Sequence, residues 1–576
     1  MITNIKNIIC GLSVIAGFSA CVDTVILPDN KTVDEDYWQK KTEVESVVRT
    51  AYAQLRNEAA IRNMIVWGDF RSDEMVITNS LPVGAAFRID LQQIYSQNIT
   101  SENTFTSWFP FYSCINYCNL VLEKAEQVIA VDPDYTQGDY EANKAQVLAL
   151  RAYCYFYLMR VFHDIPVTPA AYMNSSDDLN APQSSPAEVI DMCIRDLTEA
   201  SKYAVSGSTY GDWRDKGYLN QDGINALLAD IYLWRASVNR DAADYQACVD
   251  HCDKVIKAKK EAYEAKPKRG GWGTEEKKDY YLSNANTMYN DLFGQTSRQN
   301  ADESIFELQF SSSGNGSNVG LDKMYYRFNA GTGNSYGYLK AYEWFAKQDN
   351  TGKTLWRNTT DRRLFEYLYD ANATGIDQFG VRKFVALSSS GTSAETNPTG
   401  SRTYSMSRNW IIYRLTDVML MKAEALVQLY ELGGKNPADT RNEDAFNLCK
   451  AVNDRAIDND ATVALKYSLY KDNMEILVLD ERARELCFEG KRWFDLMRYN
   501  YRHTSTQADL TKKLTEGYVV NSQVFYEQAL RKYPVPTAIS VKMRDERYLY
   551  MPINQDDIEV NRNLVQNPVY KSSSKY

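Results

Sequence analysis

The sequence is poor in histidine, in long apolar runs and in clustered charge of one sign. Its 576 residues include only three histidines, and none lies in the H-E-x-x-H pattern with which zinc hydrolases bind their metal. No stretch holds the roughly 18 to 20 apolar residues of a membrane-spanning helix, which excludes a polytopic membrane protein. The 75 acidic residues outnumber the 65 basic ones without any Lys/Arg block, so nucleic acid binding is not expected.

A nucleotide-binding motif is missing too. The chain does not contain the G-x-x-x-x-G-K-[ST] loop that binds nucleotide phosphates. Gly314, Gly316 and Gly320 come nearest to a nucleotide loop, but their spacing within Ser/Asn-rich sequence is typical of a turn. Because aspartate and glutamate are plentiful, a catalytic carboxylate pair stays an open alternative. The missing motifs favour a binding function over catalysis. No cofactor is expected.

Tyrosine is the residue type in clear excess. Its 41 copies exceed the 20 phenylalanines and 10 tryptophans taken together. A tyrosine ring is apolar and its hydroxyl is polar, so the residue suits a partly wet recognition surface. It equally suits helix packing with the hydroxyl at the edge of the core. Packing is expected to account for most of the tyrosines.

The N-terminus has the composition of an export signal. Lys6 supplies a positive charge, Ile8–Ala20 is apolar and small, and Cys21 follows directly. We therefore predict a lipoprotein signal peptide over residues 1–20, cleavage before Cys21, and acylation of that cysteine. A lipid-anchored tether over residues 21–40 would then carry the rest of the chain. A plain secretory signal is the alternative, because Phe18 stands where lipoprotein signals usually have leucine.

Eight further cysteines remain once Cys21 and Cys10 are set aside. Two pairs are spaced i,i+4 on helix-like sequence, where a helix aims both side chains in one direction and disfavours a disulfide. Buried free thiols are therefore predicted. A zinc site at His251 between Cys248 and Cys252 would lack a fourth ligand, so no metal is expected. The eight are Cys114, Cys118, Cys154, Cys193, Cys248, Cys252, Cys449 and Cys487.

Amphipathic segments recur in pairs along the chain. Each pair combines two stretches with apolar residues at helical spacing. In the first pair, Pro166 ends the first helix and Ser185-Pro186 begins the second. Paired helices of this size cannot bury their apolar faces alone and stack into a shared core. The predicted helices are Glu141–Phe162, Ser185 to about Tyr203, Asp222–Val238, Ala242–Lys257, Thr416–Leu432 and Glu443–Ile457.

These segments predict a mostly α-helical fold, a tetratricopeptide-like scaffold of four helix pairs with a few short strands. The spacing between pairs is irregular, which indicates long loop-rich insertions at about residues 66–106 and 267–408. The second insertion contains apolar and aromatic residues throughout, so it is predicted to be ordered rather than disordered. We expect one domain over residues 41–576.

Three stretches carry a resemblance to a known family. The segment Glu481–Arg498, with the sequence ERARELCFEGKRWFDLMR, is similar to the late signature helix of the SusD/RagB family of Bacteroidetes. The segments Arg151–Pro166 and Met551–Tyr570 resemble the first repeat helix and the closing segment of that family. The closing segment departs from the pattern at Asn554, Asp557 and Val569.

The resemblance implies a function. Members of the SusD/RagB family are nutrient-binding outer-membrane lipoproteins, and the usual ligand is a glycan held at the cell surface. The implied partners are a SusC-like TonB-dependent transporter, to which the substrate passes, and the outer membrane itself through the lipid anchor. No catalytic step is implied. Some members handle peptides or other nutrients, so the ligand class is not fixed by the resemblance.

The signature segment is rich in charge. Glu485 and Glu489 are spaced i,i+4, Glu489 and Arg492 i,i+3, and Arg482 lies one turn before Glu485. We predict local ion pairs along one side of a packed helix. The alternative, an acid/base cluster of Glu481, Glu485 and Glu489, is disfavoured because glycoside hydrolysis needs two carboxyl groups facing each other across a cleft.

Candidate ligand-binding residues come from the insertions. A sugar site needs exposed planar aromatic rings beside polar groups. In each case the alternative role is an aromatic side chain that covers the core. The candidates are Trp67, Tyr95, Trp272, Tyr336 and Tyr338.

Two other functions stay open at this level. A secreted glycan-active hydrolase would turn its substrate over and lose activity on the change of one carboxylate. A protein–protein scaffold would bind peptides in the grooves between helix pairs, as tetratricopeptide-type repeats commonly do. Its binding would survive deletion of both insertions.

Overall fold

The structure is a computed structural model. It describes residues 37–78, 86–173, 177–266, 279–284, 292–293, 299–311, 316–325, 327–329, 334–345, 355–356, 361–368, 380–384, 407–504, 506–515, 525 and 528–570. The predicted signal peptide, Cys21 and most of the tether therefore lie outside the described residues.

Twelve longer helices dominate the described residues. They are α1 Lys41–Leu55, α2 Glu58–Ile65, α3 Ala86–Tyr95, α4 Phe109–Lys124, α5 Gln137–Phe162, α6 Pro186–Ala200, α7 Gln221–Asn239, α8 Ala242–Glu264, α9 Leu415–Leu432, α10 Arg441–Ala456, α11 Met474–Leu486 and α12 Arg492–His503. Shorter helices occur at Arg214–Gly217, Val319–Met324, Arg362–Tyr367, Tyr467–Tyr470, Thr537–Met543 and Gln555–Val560. The predicted mostly helical class is confirmed.

Among the helices that the structure describes, four pairs stack on one another and form the scaffold. The pairs are α1 with α4, α5 with α6, α7 with α8, and α9 with α10. Helix α4 also packs on α5, and α8 packs on α9, so a continuous core runs through the stack. Helices α11 and α12 close it against α9 and α7.

The helix ends follow from local sequence. Ser185 accepts a hydrogen bond from the Glu188 amide while the Glu188 carboxylate accepts one from Ser185, a capping box that starts α6 with Pro186 in its first turn. Thr136 and Asp139 form the same arrangement at the start of α5. Helix α5 ends at Phe162, because the next residue, His163, has a φ of 68°. The strand Ile165–Pro166 follows, and its proline excludes continuation of the helix. The predicted proline exit is therefore confirmed.

Within the described ranges, four two-stranded antiparallel sheets hold the loops to the scaffold. The strands are β1 Met75–Ile77, β2 Ile165–Pro166, β3 Gln183–Ser184, β4 Ser304–Leu308, β5 Arg327–Asn329, β6 Asn334–Tyr336, β7 Leu339–Ala341 and β8 Trp410–Arg414. Strand β1 pairs with β7, with Val76 opposite Lys340, and so joins the first insertion to the second. Strand β4 pairs with β8, which leads directly into α9. The two insertions thus share one surface.

All eight predicted thiols are free and buried, which confirms that prediction. Cys114 and Cys118 lie on α4, and Cys154 lies on the facing α5. Burial raises the pKa of each of these three thiols. A protonated thiol is a poor nucleophile, so packing makes the cysteines unreactive.

The signature segment is not one helix, which corrects the prediction. Helix α11 ends at Leu486 and α12 begins at Arg492, with Phe488 and Gly490 between them at φ of 64° and 73°. The backbone of Gly68 passes close to this turn, because a Cβ atom on Gly68 would lie 2.0 Å from the Gly490 carbonyl oxygen. The contact requires glycine at both positions.

The ion pairs of the signature segment are mostly long-range rather than local, which corrects a second prediction. The Glu485 carboxylate accepts hydrogen bonds from Arg363 at 3.0 Å and Arg414 at 2.6 Å, and it pairs with Arg455 at 2.5 Å. Arg492 pairs with Asp73 at 2.9 Å instead of Glu489. We call the following set the buried charge network: Glu481, Glu485, Glu489, Arg363, Lys383, Arg414, Arg455 and Arg484.

Candidate functional site

Helix α3 and the β1–β7 sheet form the surface on which both insertions meet. The ladder continues beyond the two strands, because the Thr78 amide donates to the Tyr338 carbonyl at 2.9 Å and the Tyr342 amide donates to the Glu74 carbonyl at 2.7 Å. Helix α3 packs on β1. Residues more than 200 positions apart in the sequence are therefore fixed side by side.

Tyr338 and Phe87 stack at one end of this surface. Their ring centroids are 5.6 Å apart at an interplanar angle of 25°, and both side chains are half-buried. The Arg62 guanidinium lies 4.5 Å from the Phe87 ring centroid and pairs with Glu58 at 3.4 Å. Glu58 in turn accepts a hydrogen bond from Lys323 at 2.9 Å. An aromatic pair with a cation on one face results.

Tyr95 lies at the other end of α3. Its hydroxyl donates to the Lys532 carbonyl at 3.0 Å, and its ring centroid lies 4.7 Å from that of Tyr533. The Lys532 ammonium donates to the Phe70 and Met75 carbonyls of the first insertion. Burial lowers the pKa of Lys532 to about 7 and raises that of Tyr95. We call Phe87, Tyr95, Tyr338 and Arg62 the aromatic surface.

Trp67 does not belong to this surface, which corrects its selection as a ligand contact. Its side chain is 0% exposed, and its indole N–H donates to the Phe105 carbonyl at 2.8 Å. The ring packs among Phe111, Tyr157 and Phe162 at centroid distances of 5.5 to 6.1 Å. Trp67 therefore covers the core where α4 and α5 meet. This is the core-packing role that was the alternative to ligand binding for each candidate.

The remaining candidates are placed differently. Tyr336 lies in β6 opposite Arg327, two residues before Tyr338. Trp272 lies outside the described residues, as does Cys21. Sequence reasoning missed Phe87, Arg62 and Lys532. A phenylalanine at the start of a helical stretch inside the first insertion was a usable signal for Phe87, whereas nothing local distinguished Arg62 or Lys532.

The carboxylates of the signature segment are inaccessible. Burial alone would raise the pKa of Glu485, but Arg455, Arg414 and Arg363 outweigh it and hold the pKa well below its usual range. Glu481 and Glu489 are also buried, and Arg363 and Arg414 respectively lower their pKa below the usual range despite burial. An ionised carboxylate without access to solvent is neither a proton donor nor a nucleophile for an external substrate.

The residues around His251 provide no metal site. Its Nδ1 lies 2.8 Å from the Asn225 amide oxygen, its ring stacks on Tyr232, and burial lowers its pKa to about 4. Within the described ranges, no group of three or more His, Cys, Asp or Glu side chains is arranged to hold a metal ion.

Two family models together match most of the sequence. A model of the SusD family matches residues 218–570, which is more than half of the chain. The chain belongs to the SusD family. A second model, described as "Starch-binding associating with outer membrane", matches residues 27–233. The aromatic surface draws Phe87 and Tyr95 from the part matched by the second model and Tyr338 from the part matched by the first.

Relatives and solved structures agree with membership in the SusD family. SusD-like protein P38 of Formosa agariphila is 25% identical over 490 residues, which cover 82% of this chain and 86% of the relative. Bacteroides fragilis NanU superposes with a TM-score of 0.63 at 19% identity, covering 95% of this chain and 100% of NanU. A SusD superfamily protein from Bacteroides vulgatus gives a TM-score of 0.64 at 18% identity over 92% of this chain and 99% of that protein.

These matches support a starch- or glycan-binding protein associated with the outer membrane. Among the helices of the described residues, none combines the length and the apolar character that a membrane span requires. The predicted SusD-like scaffold is confirmed by the structural matches.

Proposed function

We propose that this SusD-family chain is a cell-surface lipoprotein that captures a glycan on the aromatic surface and passes it to a SusC-like TonB-dependent transporter. The observation that carries the capture step is the stacked pair of Phe87 and Tyr338, with Arg62 over Phe87. Each insertion contributes one ring of the pair. A different insertion sequence would change the surface without changing the scaffold.

The chemistry of the aromatic surface suits a sugar. The C–H face of a pyranose packs against an aromatic ring, and its hydroxyl groups need hydrogen-bonding partners at the edge. Tyr338 supplies a ring together with a hydroxyl, and the buried Arg62 supplies positive charge behind the Phe87 ring. Burial lowers the pKa of Arg62, but this guanidinium stays charged near neutral pH. The arrangement binds a ligand and contains no nucleophile, so no bond cleavage is proposed.

The anchor and the transporter are proposed on the sequence and the family. Acylation of Cys21 would hold the chain at the outer membrane, because each buried methylene contributes about 0.8 kcal/mol. Mass spectrometry of the mature N-terminus tests this, and a chain that carries no acyl group would overturn the anchor. The transporter step is tested by co-purification of a TonB-dependent transporter with the membrane-bound chain.

The capture step is tested by calorimetric titration of the chain lacking residues 1–21 with starch-derived and other oligosaccharides. The Tyr338→Ala variant should bind the ligand about tenfold more weakly, because a stacked aromatic contributes about 0.5 to 1.5 kcal/mol beyond its buried area. Tyr338→Phe should retain most of the affinity. Leu469→Ala is the matched control, since Leu469 is an exposed apolar residue outside the aromatic surface.

The titration also separates the alternatives. Product formation from any oligosaccharide would favour the hydrolase. Unchanged affinity in Tyr338→Ala, with binding otherwise intact, would exclude the aromatic surface as the site. Binding of peptides that survives in all variants would favour the protein–protein scaffold.

A further inference from the structure

Trp213 is the one exposed aromatic residue in the part of the chain that the structure describes. Its side chain is 45% exposed, whereas the other tryptophans described are buried. It lies just before the short helix Arg214–Gly217, in the connection between α6 and α7 and outside both insertions. Single exposed apolar side chains are common on protein surfaces, so the case for a function rests on the loop that holds this ring in place.

The loop is held in one conformation by a buried carboxylate. Asp215 accepts hydrogen bonds from the Tyr210 amide on Oδ1 and from the Gly211 amide on Oδ2, both at 2.8 Å. Its own carbonyl accepts a hydrogen bond from the Asn220 side chain at 2.8 Å. Asp215 is 8% exposed, so water does not compete with these bonds. The segment that presents Trp213 is therefore preorganised.

A glycine makes room for the ring itself. A Cβ atom on Gly217 would lie 2.8 Å from Cε3 and 3.0 Å from Cζ3 of Trp213, so the benzo edge of the indole rests on the bare backbone. The Tyr218 ring contacts Trp213 edge-on, with centroids 5.4 Å apart at 69°. The indole is supported along one side and open to solvent on the other.

The two residues that flank Trp213 in the sequence, Asp212 and Arg214, form a partly exposed ion pair. The Asp212 carboxylate accepts hydrogen bonds from Arg214 Nε and Nη2 at 2.9 to 3.1 Å, and the guanidinium lies 4.6 Å from the Tyr210 ring centroid. Both side chains are about two-fifths exposed. A carboxylate and a guanidinium next to an aromatic face are the groups that bind sugar hydroxyls in carbohydrate sites.

We propose that Trp213 with the Asp212–Arg214 pair forms a second carbohydrate contact, which takes one sugar ring of a polysaccharide. It rests on the proposed glycan binding and lies apart from the aromatic surface in the fold, since Tyr218 of this loop packs on Tyr52 of α1 rather than on α3, β1 or β7. Two contacts on one chain raise the apparent affinity for a polymer by making the second contact intramolecular. A short oligosaccharide gains nothing from the second contact.

The polarity of the loop favours a sugar over a protein partner. Ser206, Ser208 and Thr209 precede the ring, and Asp212 and Arg214 flank it. Protein interfaces bury about 800 Å² on each partner around an apolar centre. A single sugar ring is much smaller than a protein interface and combines an apolar C–H face with polar hydroxyl groups. One indole among hydroxyl and charged groups matches such a ring.

The proposal is tested by affinity gel electrophoresis in soluble polysaccharides, with amylopectin first, beside calorimetry with maltoheptaose. Trp213→Ala should weaken polysaccharide binding about five- to thirtyfold and leave oligosaccharide binding unchanged. Trp213→Phe should restore most of the loss. Gly217→Ala should imitate Trp213→Ala by displacing the ring, and Leu469→Ala should behave as wild type. Circular dichroism confirms that each variant is folded.

A second readout uses 5-fluorotryptophan in the Tyr338→Ala variant. The resonance of Trp213 is assigned by its absence in Trp213→Ala. Addition of a polysaccharide that binds should shift this resonance even though the aromatic surface is impaired. A polysaccharide bound equally by wild type and Trp213→Ala overturns the second contact and leaves the proposed function standing. Failure of wild type to bind any polysaccharide overturns the second contact, and failure to bind any oligosaccharide as well overturns the proposed function. Loss of transporter co-purification in Trp213→Ala, with polysaccharide binding intact, shows a protein-docking residue instead.

Discussion

Asp69 and Glu74 place two carboxyl groups in the core beside the turn that separates α11 from α12. Asp69 accepts hydrogen bonds from the Gly490 amide at 2.9 Å and the Tyr325 hydroxyl at 3.1 Å, and Glu74 accepts one from the Phe488 amide at 3.2 Å. Burial raises the pKa of Asp69 to about 7. Burial and the neighbouring Asp69 charge raise the pKa of Glu74 well above its usual range. The folded chain therefore holds protons here that the unfolded chain releases.

This difference predicts that stability falls as pH rises from about 5 to 7. A carboxyl group with a raised pKa contributes its stability fully at pH values below the unfolded pKa and loses it as pH passes the folded pKa. Each proton held only in the native state changes the free energy of unfolding by about 1.4 kcal/mol per pH unit. Asp69→Asn should flatten this slope in urea unfolding at pH 5, 6 and 7.

The adjacent Asp73 provides a control of opposite sign. Burial would raise its pKa, but Arg492 lowers it below the usual range. Asp73→Asn should therefore remove stability at every pH above about 4, without flattening the slope between pH 5 and 7. Parallel slopes in wild type and Asp69→Asn would contradict the assignment of the bound protons.

Local sequence identified some of the important side chains but not their surroundings. The position of Tyr338 beside Gly337 in an insertion favours a ligand contact, and the structure places its ring against Phe87. Trp67 also lies beside a glycine but is buried, because Gly68 and Asp69 next to it form a buried contact with Gly490 rather than an exposed loop. Glycine and aspartate beside an aromatic residue are typical of both situations.

At the scale of elements, the contact between Gly68 and Gly490 fastens the first insertion to the turn between α11 and α12. A Cβ atom on Gly68 would meet backbone, which cannot rotate away. Gly68→Ala should therefore destabilise the protein by about 3 kcal/mol or more, as overpacking of a tight core does. Chemical unfolding and the pattern of limited proteolysis near residue 70 measure the effect.

Gly138 in the first turn of α5 is the matched control. The nearest atom to an added Cβ there is a side-chain oxygen at 3.8 Å. Gly138→Ala should leave stability unchanged or raise it by up to about 1 kcal/mol, because alanine favours the helix. Equal losses in the two variants would contradict the backbone-contact explanation.

The helices were predictable because their apolar spacing and caps are local. Five of the six predicted helices begin within two residues of the observed start, and α5 begins four residues earlier, at Gln137. The break between α11 and α12 was missed since its charged and apolar residues continue at helical spacing through Gly490. The contact with the distant Gly68 imposes the positive φ at this turn. In the local sequence, only Gly490 indicates the break.

Across the whole molecule, the buried charge network ties the second insertion to the scaffold. Arg363 is fully buried and donates to Asp361, Glu481 and Glu485 at 2.7 to 3.0 Å. Removing one partner of a buried ion pair leaves an uncompensated charge. Arg363→Leu should lower the free energy of unfolding by about 3 to 5 kcal/mol and speed proteolysis within residues 267–408.

Lys435→Leu is the control for this prediction. Lys435 pairs with Glu431 at 2.8 Å, but both side chains are largely exposed to solvent. Exposed pairs contribute little, so unfolding and proteolysis should match wild type. Preserved stability in Arg363→Leu would show that the network does not hold the insertion. Sequence alone gave no route to these partners, because Arg363 and Glu485 lie more than 100 residues apart.

The packing of α4 on α5 also has a consequence for secretion. Cys114, Cys118 and Cys154 face one another across that contact, and the proposed export takes the chain through an oxidising compartment. Before the helices dock, these thiols are open to oxidants and to mispairing; afterwards, burial shields them. The speed at which the helices dock relative to oxidation therefore sets the yield of native secreted protein.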